Sequence, residues 1–422
     1  MPRAGLAYRV NDKTALRIGY ARYLVPSTLT DGLDVLGSVF YPGFEASTNG
    51  LPVLSGVPQS RLRNPFPSGL VPVSGKSFGR YTDLGGSPIF YNQDFRVGAN
   101  DRINFSLQRS LPGQMVLDLT YFANFGRNAP VTRNLNQIDP RIGYEKKTAV
   151  SGNVKNPFFN VLPADKMPGQ LRTQASVPIT QLLRQYPQYG DIQQRLVGLG
   201  HNRYQSLQIQ AQRAFVNGFN LVLGYNYNRE RNEEYFDEQD NFTNNLTFQP
   251  SVNPRHRISA ASIYQLPFGK GRKYMSGANR LVDGVFGGWA LSGIFSFNTG
   301  QYLRFGTLQV SGDPTLDSPS KSKAFDTSKF SQQPAFTRRT NPLQYPDVKG
   351  MRFKNLDLTL AKSFQVSERI KFELRMESYN ATNSFNGDLP STSFGSSAFG
   401  SITAQRPGYL GRQLQYSGRF IW

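Results

Sequence analysis

The stretch "RQLQYSGRFIW" (residues 412–422) ends on a bare aromatic, and its apolar residues fall at every second position. Leu414, Tyr416, Phe420 and Trp422 share one parity, while Gln413, Gln415, Ser417 and Arg419 share the other. An extended chain points successive side chains to opposite faces, so this is a strand with one oily side. Soluble domains usually let their ends fray into polar residues, whereas here the end itself reads as structural.

The same period of two recurs along the chain. In "RIKFELRMES", Ile370, Phe372, Leu374 and Met376 oppose Lys371, Glu373, Arg375 and Glu377. In "FNLVLGYNYN", Phe219, Leu221, Leu223, Tyr225 and Tyr227 oppose Asn220, Gly224, Asn226 and Asn228. A helix, turning 100° per residue, would smear both patterns. Matching runs centre on Ile18, Phe105, Leu119, Ile209, Ala260, Phe295 and Leu358, and with the opening "RAGLAYRV" they make eleven predicted strands. Tight turns are expected at residues 10–13, 110–114, 215–219 and 365–369, each rich in Asn, Asp, Gly, Pro or Ser. Between them lie long polar excursions at about 24–94, 126–201, 230–254, 299–351 and 381–410. Five such loops argue against a compact soluble domain, but they are expected in an outer-membrane barrel, where periplasmic turns are short and external loops long.

Composition narrows the class further. The 422 residues carry 48 Lys+Arg against 28 Asp+Glu, a net charge of +20, yet only 18% of residues are charged and 13% are aromatic. No basic run forms a stripe that could track phosphates, so nucleic acid is not the expected partner. The absence of cysteine removes disulfides, thiolate metal sites and cysteine nucleophiles. No run of about 18 apolar residues exists, which excludes a transmembrane helix and leaves a closed barrel of amphipathic strands as the spanning solution. The opening "MPRAGLAYRVNDKTALRIGY" alternates from its start and lacks the apolar core of a signal peptide, which points to a cytoplasmic protein or a fragment.

A soluble β-sandwich would show similar alternation. The asymmetry between short and long connections, the excess of Tyr and Phe and the aromatic end favour the membrane reading. Counting back from a last strand that ends in the periplasm puts every tight turn, and the linker "LPFGKGRKYMSGANRLVDGVFGG", on the periplasmic side. Eleven is odd for a bacterial single-chain barrel, so the expected fold is an all-β, antiparallel, up-and-down transmembrane β-barrel in part only, one domain over residues 1–422.

The words "RNPFPSGL", "NPFFNVLP", "QLLRQYPQYGDI", "YQLPFGKGRKY", "GGWALSGIFSFNTGQ" and "RFKNLDLTLAKSF" stand in this order between residues 63 and 364. They resemble the barrels of TonB-dependent outer-membrane receptors, above all the Oar-like type that carries a carboxypeptidase-regulatory-like domain and a plug before its barrel. The resemblance implies a 22-stranded barrel with a plugged lumen, of which eleven strands would be the second half. It also implies that Tyr416, Gly418, Phe420 and Trp422 act as an assembly signal, read by the barrel-assembly machinery through strand addition. A plain lipid-facing strand with an interfacial Trp is the compatible simpler reading. No plug or TonB-contacting segment is recognisable in the chain, so transport would belong to an intact parent.

Parity predicts that Lys371, Glu373, Arg375 and Glu377 face a wet lumen. The run "NRERNEEYFDEQDN" places Glu230, Glu233, Glu234, Asp237, Glu238 and Asp240 close together, a weak candidate for Ca²⁺ and more simply a solvated loop. "PFGKGRKY" lacks phosphate-loop spacing, and its Lys270, Arg272 and Lys273 read as an interfacial basic turn. His201 and His256 have no ligand spacing and read as polar strand-end residues. No GxSxG elbow is present. Neither a catalytic set nor a cofactor site is expected, and the protein reads as a non-enzyme. The expected function is the barrel wall of a receptor that captures a ligand at external loops. Expected partners are outer-membrane lipid and lipopolysaccharide, the assembly machinery and the TonB system. The alternatives are a structural or adhesive surface protein and a passive porin. The positive charge suits an anionic ligand in a walled cavity as well as lipopolysaccharide phosphates.

Overall fold

The computed structural model describes residues 1–25, 46 and 48–422. Eleven long strands follow one another in a single antiparallel path, each bonded to the next in sequence. They are β1 (Arg3–Asn11), β2 (Thr14–Val25), β3 (Gly98–Leu111), β4 (Met115–Asn134), β5 (Gln193–Val216), β6 (Phe219–Glu234), β7 (His256–Gln265), β8 (Trp289–Asn298), β9 (Phe353–Gln365), β10 (Lys371–Tyr379) and β11 (Gln413–Ile421). Number, order and direction match the sequence reading. The path is open: β1 and β11 do not pair with each other among the described residues, and both are exposed along their whole length.

The connections alternate as expected. Asn217 and Gly218, which join β5 to β6, both have positive φ, at 51° and 78°. That is the two-residue turn whose twist suits a hairpin, and it explains the Asn-Gly at this position. The loop between β4 and β5 begins later and ends earlier than the sequence suggests, because both strands are longer. β4 has 20 residues and β5 has 24, where about 9–11 tilted residues cross a bilayer. Their outer halves therefore rise beyond the crossing, and the register shifts of their pairing between Gln194 and Asn202 fall in that raised part. Two short strands, Ile89–Tyr91 and Thr247–Pro250, extend the sheet at the same rim.

Burial on the sheet is inverted relative to a soluble protein. Along β10, Leu374 and Met376 are exposed while Glu373, Arg375 and Glu377 are half-buried. Leu6, Ile18, Phe105, Leu119, Leu223, Leu291 and Tyr416 repeat the exposed oily parity on other strands. The register carries the opposite, polar parity across the sheet: Ser106 lies beside Thr120, Thr120 beside Gln208, Gln208 beside Asn226, and Asn226 beside Arg257. This polar face lines a recess of about 800 Å³, so it is the concave one.

The tightly packed cores lie elsewhere, in the loops. One joins Leu303, Phe305, Leu308, Phe325, Phe330, Tyr345 and Val348 with Phe399 from the last loop. The other joins Met167, Leu171 and Val177 with Leu84, Phe158, Leu162 and Leu182. Buried loop backbone must find hydrogen-bond partners, and buried asparagines supply them. Asn136 donates to the carbonyls of Tyr186 (2.8 Å), Tyr189 (3.1 Å) and Gly190 (2.8 Å) and accepts from the Tyr186 amide (2.9 Å). Asn156 and Asn341 play the same part in their own loops.

Candidate functional site

The concave wall is built from amides, hydroxyls and a few charges. Asp118 accepts from the Thr120 hydroxyl at 2.6 Å, and Asn124 donates to Asn100 at 3.1 Å. Asn228 is held by the Pro254 carbonyl at 3.0 Å, and Glu230 by Asn253 at 2.8 Å. Side chains of this kind both donate and accept, so the recess can bind a polar solute in many orientations. The lumen residues expected on β10 share this face through the register, since Glu377 lies beside Thr359 and Arg375 beside Ala361. There Arg375 pairs with Glu373 at 2.9 Å and lies 3.8 Å from Glu377, while Arg419 of β11 reaches Glu373 at 3.4 Å. Lys371 lies at the turn end of the strand and is exposed.

Apart from Glu230, which lines the recess, the acidic run lies above it, at the top of β6 and in the loop after it. Its carboxylates do not converge. Glu233 accepts from the His201 amide at 2.9 Å and contacts the His201 ring at 2.6 Å. Glu234 takes Arg304 in a two-pronged pair at 2.7 and 2.9 Å. Asp237 caps the helix Glu238–Thr243 by accepting from the amides of Gln239 (3.0 Å) and Asp240 (3.1 Å), and it also binds the Arg338 guanidinium. Glu238 and Asp240 lie in the first turn of that helix, where negative charge suits its dipole. No group of three potential ligands could hold a metal among the described residues. Repulsion between neighbouring acids is relieved instead by bases brought from other segments. The acidic run therefore staples the loop after β8 to the top of β6. Burial alone would raise the Asp237 carboxyl, but Arg338 and the amides of Asp240 and Gln239 outweigh it and hold the group below the ordinary carboxylate range.

The staple closes over a second cavity, of about 520 Å³, between three loops. Tyr144, Phe236 and Phe336 line it with Gln332, Gln333 and Arg339. Arg339 is spent on structure: it donates to the carbonyls of Gly306 (3.1 Å), Phe305 (3.3 Å) and Phe236 (3.4 Å) and lies over the Phe236 ring. Sequence reasoning missed Arg304, Arg338 and Arg339. The partners of Glu234 and Asp237 stand 70 and 101 residues away, and no spacing rule connects them. His256, at the start of β7, contacts the Tyr225 hydroxyl at 2.8 Å beside the Tyr227 ring, and His201 lies within β5 rather than at its edge.

The expected assembly residues lie together on the oily parity of β11. Tyr416 stands beside Met376, Gly418 beside Leu374, and Phe420 beside Phe372 with ring centres 4.7 Å apart. Trp422 follows the strand and is almost wholly exposed.

Comparison with known proteins places this geometry. The family model described as "outer membrane beta barrel domain" matches residues 1–415. Among solved structures, the siderophore receptor PirA from Acinetobacter baumannii is similar at 12% identity and a TM-score of 0.45, over 100% of this chain and 40% of that one. The outer membrane transporter YddB from Escherichia coli is similar at 11% identity and 0.44, over 97% and 39%. The ferric-catecholate import receptor Fiu from E. coli K12 gives 11% and 0.42, over 99% and 34%. The chain thus spans only about a third to two fifths of the solved proteins it resembles. At these identities and scores they add no argument to the family match. A search of curated proteins finds no match.

Proposed function

Because this chain belongs to the outer membrane beta barrel domain family, we propose that it is wall and external surface of a TonB-dependent type of outer-membrane receptor or transporter. The oily parity faces lipid tails in the bacterial outer membrane. The stapled loops meet a ligand outside, and the amide-rich recess beneath them passes it inward. A plug on another part of the protein would gate that step with energy from the TonB system. The mechanism is binding and rearrangement without covalent chemistry. β11 adds a function in assembly: its outer edge has no partner strand among the described residues, and Tyr416, Gly418, Phe420 and Trp422 offer the barrel-assembly machinery a template for strand addition.

The observation that carries the reading is the inversion on β10, with charges turned to the polar face of the sheet and Leu374 and Met376 turned outward. The chain has no cysteine, so single cysteines can map it. Cysteines at Glu373 and Glu377 should react with a water-soluble maleimide in intact outer membranes, whereas those at Leu374 and Met376 should react only after detergent is added. Uniform labelling along the strand would refute the wall. Transport is tested separately: uptake that needs this protein should stop when the energising inner-membrane complex is deleted. Uptake that survives would indicate an open porin, and an unchanged uptake profile with lost surface adhesion would indicate an adhesin.

A further inference from the structure

The linker of residues 266–288, between β7 and β8, is longer than the tight turns beside it and is firmly folded. The Lys270 amide donates to Asp283 at 2.6 Å, the Gly269 amide to the Tyr274 carbonyl at 3.0 Å, and the Tyr274 amide to the Pro267 carbonyl at 2.9 Å. Gly269 has φ 113°, and a Cβ there would come within 2.6 Å of the Gly287 Cα. A short helix, Arg280–Phe286, ends the linker. It is pinned against the oily face of the sheet. The Trp289 indole donates to the Val285 carbonyl at 2.8 Å. Lys362, which breaks the oily parity of β9, is buried and donates to the carbonyls of Gly287 and Val285, the latter at 3.3 Å. Its ammonium also lies over the rings of Trp289 and Phe364. A lysine at this parity is thus a clamp that satisfies the free carbonyls at the helix end.

The outer surface of this folded linker is both oily and basic. Leu281 is 83% exposed, and Phe268, Tyr274, Val285 and Phe286 are exposed with it. Lys270, Arg272, Lys273 and Arg280 are exposed too, while the one acid of the linker, Asp283, is tied to the Lys270 amide and half-buried. Between the helix and the sheet runs a groove of about 660 Å³ lined by Val285, Leu360, Phe364, Leu374, Met376 and Tyr416. It is continuous with the lipid-facing parity. Oily side chains interleaved with bases, next to a hydrocarbon-facing surface, fit the boundary between lipid tails and headgroups.

We propose that this linker is an interfacial anchor for the inner leaflet: the groove takes an acyl chain, and the exposed bases hold the anionic headgroup of a phospholipid. It would fix the depth of the wall from the periplasmic side, independently of any ligand the external loops bind.

The test uses the full chain in mixed micelles of a neutral detergent with or without phosphatidylglycerol. An environment-sensitive probe is attached to Leu281→Cys, and Leu223→Cys, on the oily parity of β6 and away from the groove, serves as the reference for the wall. Both probes should be shielded from aqueous iodide and quenched by brominated phosphatidylglycerol. Replacing Lys270, Arg272, Lys273 and Arg280 with Gln should weaken quenching at Leu281→Cys by roughly fivefold in lipid concentration per base, leaving Leu223→Cys unchanged. Mass spectrometry of the gently extracted chain should find phosphatidylglycerol on the wild type and not on the four-fold variant. A Leu281→Cys probe open to iodide in every micelle, equal lipid retention by both proteins, or shielding that appears only when a second protein or a second copy of the chain is added would each overturn the proposal.

Discussion

The wall and the external loops of this chain solve opposite problems. In the wall, Leu223 and Leu374 are exposed on one face and polar groups fill the other, so the strands gain little from burying side chains against each other. Their cohesion comes from the continuous hydrogen-bond ladder, which hydrocarbon makes obligatory. In the loops, Phe325 is fully buried and touches Phe305, Phe330 and Phe399 edge to face, with ring centres 5.1 to 5.6 Å apart. That packing is of the soluble kind, driven by removal of apolar surface from water. One polypeptide therefore folds against two solvents. The lesson is that apolar residues report burial only after the solvent on each side is known.

This contrast can be broken from either side. Phe325→Ala should cost the loop core about 3–5 kcal/mol and leave the wall intact. Pulsed proteolysis should then cut the loop after β8 readily, while β8 and β9 stay protected. Cleavage spreading into the strands would mean that the wall depends on the loops for its stability. A charge on the oily face strikes the wall instead. Leu223 stands near the middle of the crossing part of β6, so Leu223→Arg should lose about 2–4 kcal/mol in urea unfolding from vesicles. Asn226→Arg, on the polar parity of the same strand, should change it by less than about 0.5 kcal/mol. Equal losses at the two positions would mean that both faces meet the same medium.

The two regions also differed in how plainly the sequence announced them. Each strand of the wall separates lipid from water, so its alternation has the full amplitude of that difference, and β6 and β10 read clearly at period two. Strand ends were less visible because the upper halves of β4 and β5 leave the membrane and lose the contrast. The loop cores left no periodic trace. Phe305, Phe325, Phe330, Tyr345 and Phe399 are scattered among polar residues over almost a hundred positions, and only the tertiary fold collects them. Lys362 carried no signal in the sequence, because its partners are carbonyls at the end of the Arg280–Phe286 helix, more than 70 residues away. The acidic run was legible as charge but not as a staple, since its partners were distant bases.

The asparagines test whether loop order rests on more than aromatic packing. Asn341 is buried, accepts from the Leu308 amide at 2.9 Å and donates to the Gly306 carbonyl at 2.9 Å. Asn341→Ala strands both backbone groups and should cost about 1–3 kcal/mol, seen as faster hydrogen exchange at Leu308. Asn341→Asp keeps the acceptor but not the amide donors, so it should restore protection at Leu308 only. Full protection in the Ala variant would show that water replaces the amide and that the aromatic cluster alone orders the loop.

The smallest expected effect concerns the staple at Asp237. Its carboxyl is held below the ordinary value of 3.8 in the folded protein, with Arg338 and the helix amides favouring the charged form. A group depressed on folding contributes its stability above the unfolded value and loses it as pH falls through the folded one. The loop should therefore stay docked from neutral pH down to about pH 4 and loosen only below that. Arg338 is half exposed, so solvent screening keeps the pair to less than about 1 kcal/mol at neutral pH. Asp237→Asn separates the two roles of the side chain, because asparagine still caps the helix Glu238–Thr243 but cannot attract the guanidinium. Hydrogen exchange in that helix should survive the substitution, while docking of the loop around Arg338 weakens slightly and loses its acid limb. If loop docking in the Asn variant still fell away below pH 4, the acid response would belong to other carboxylates of the run, with Glu234 and its Arg304 partner the next pair to substitute.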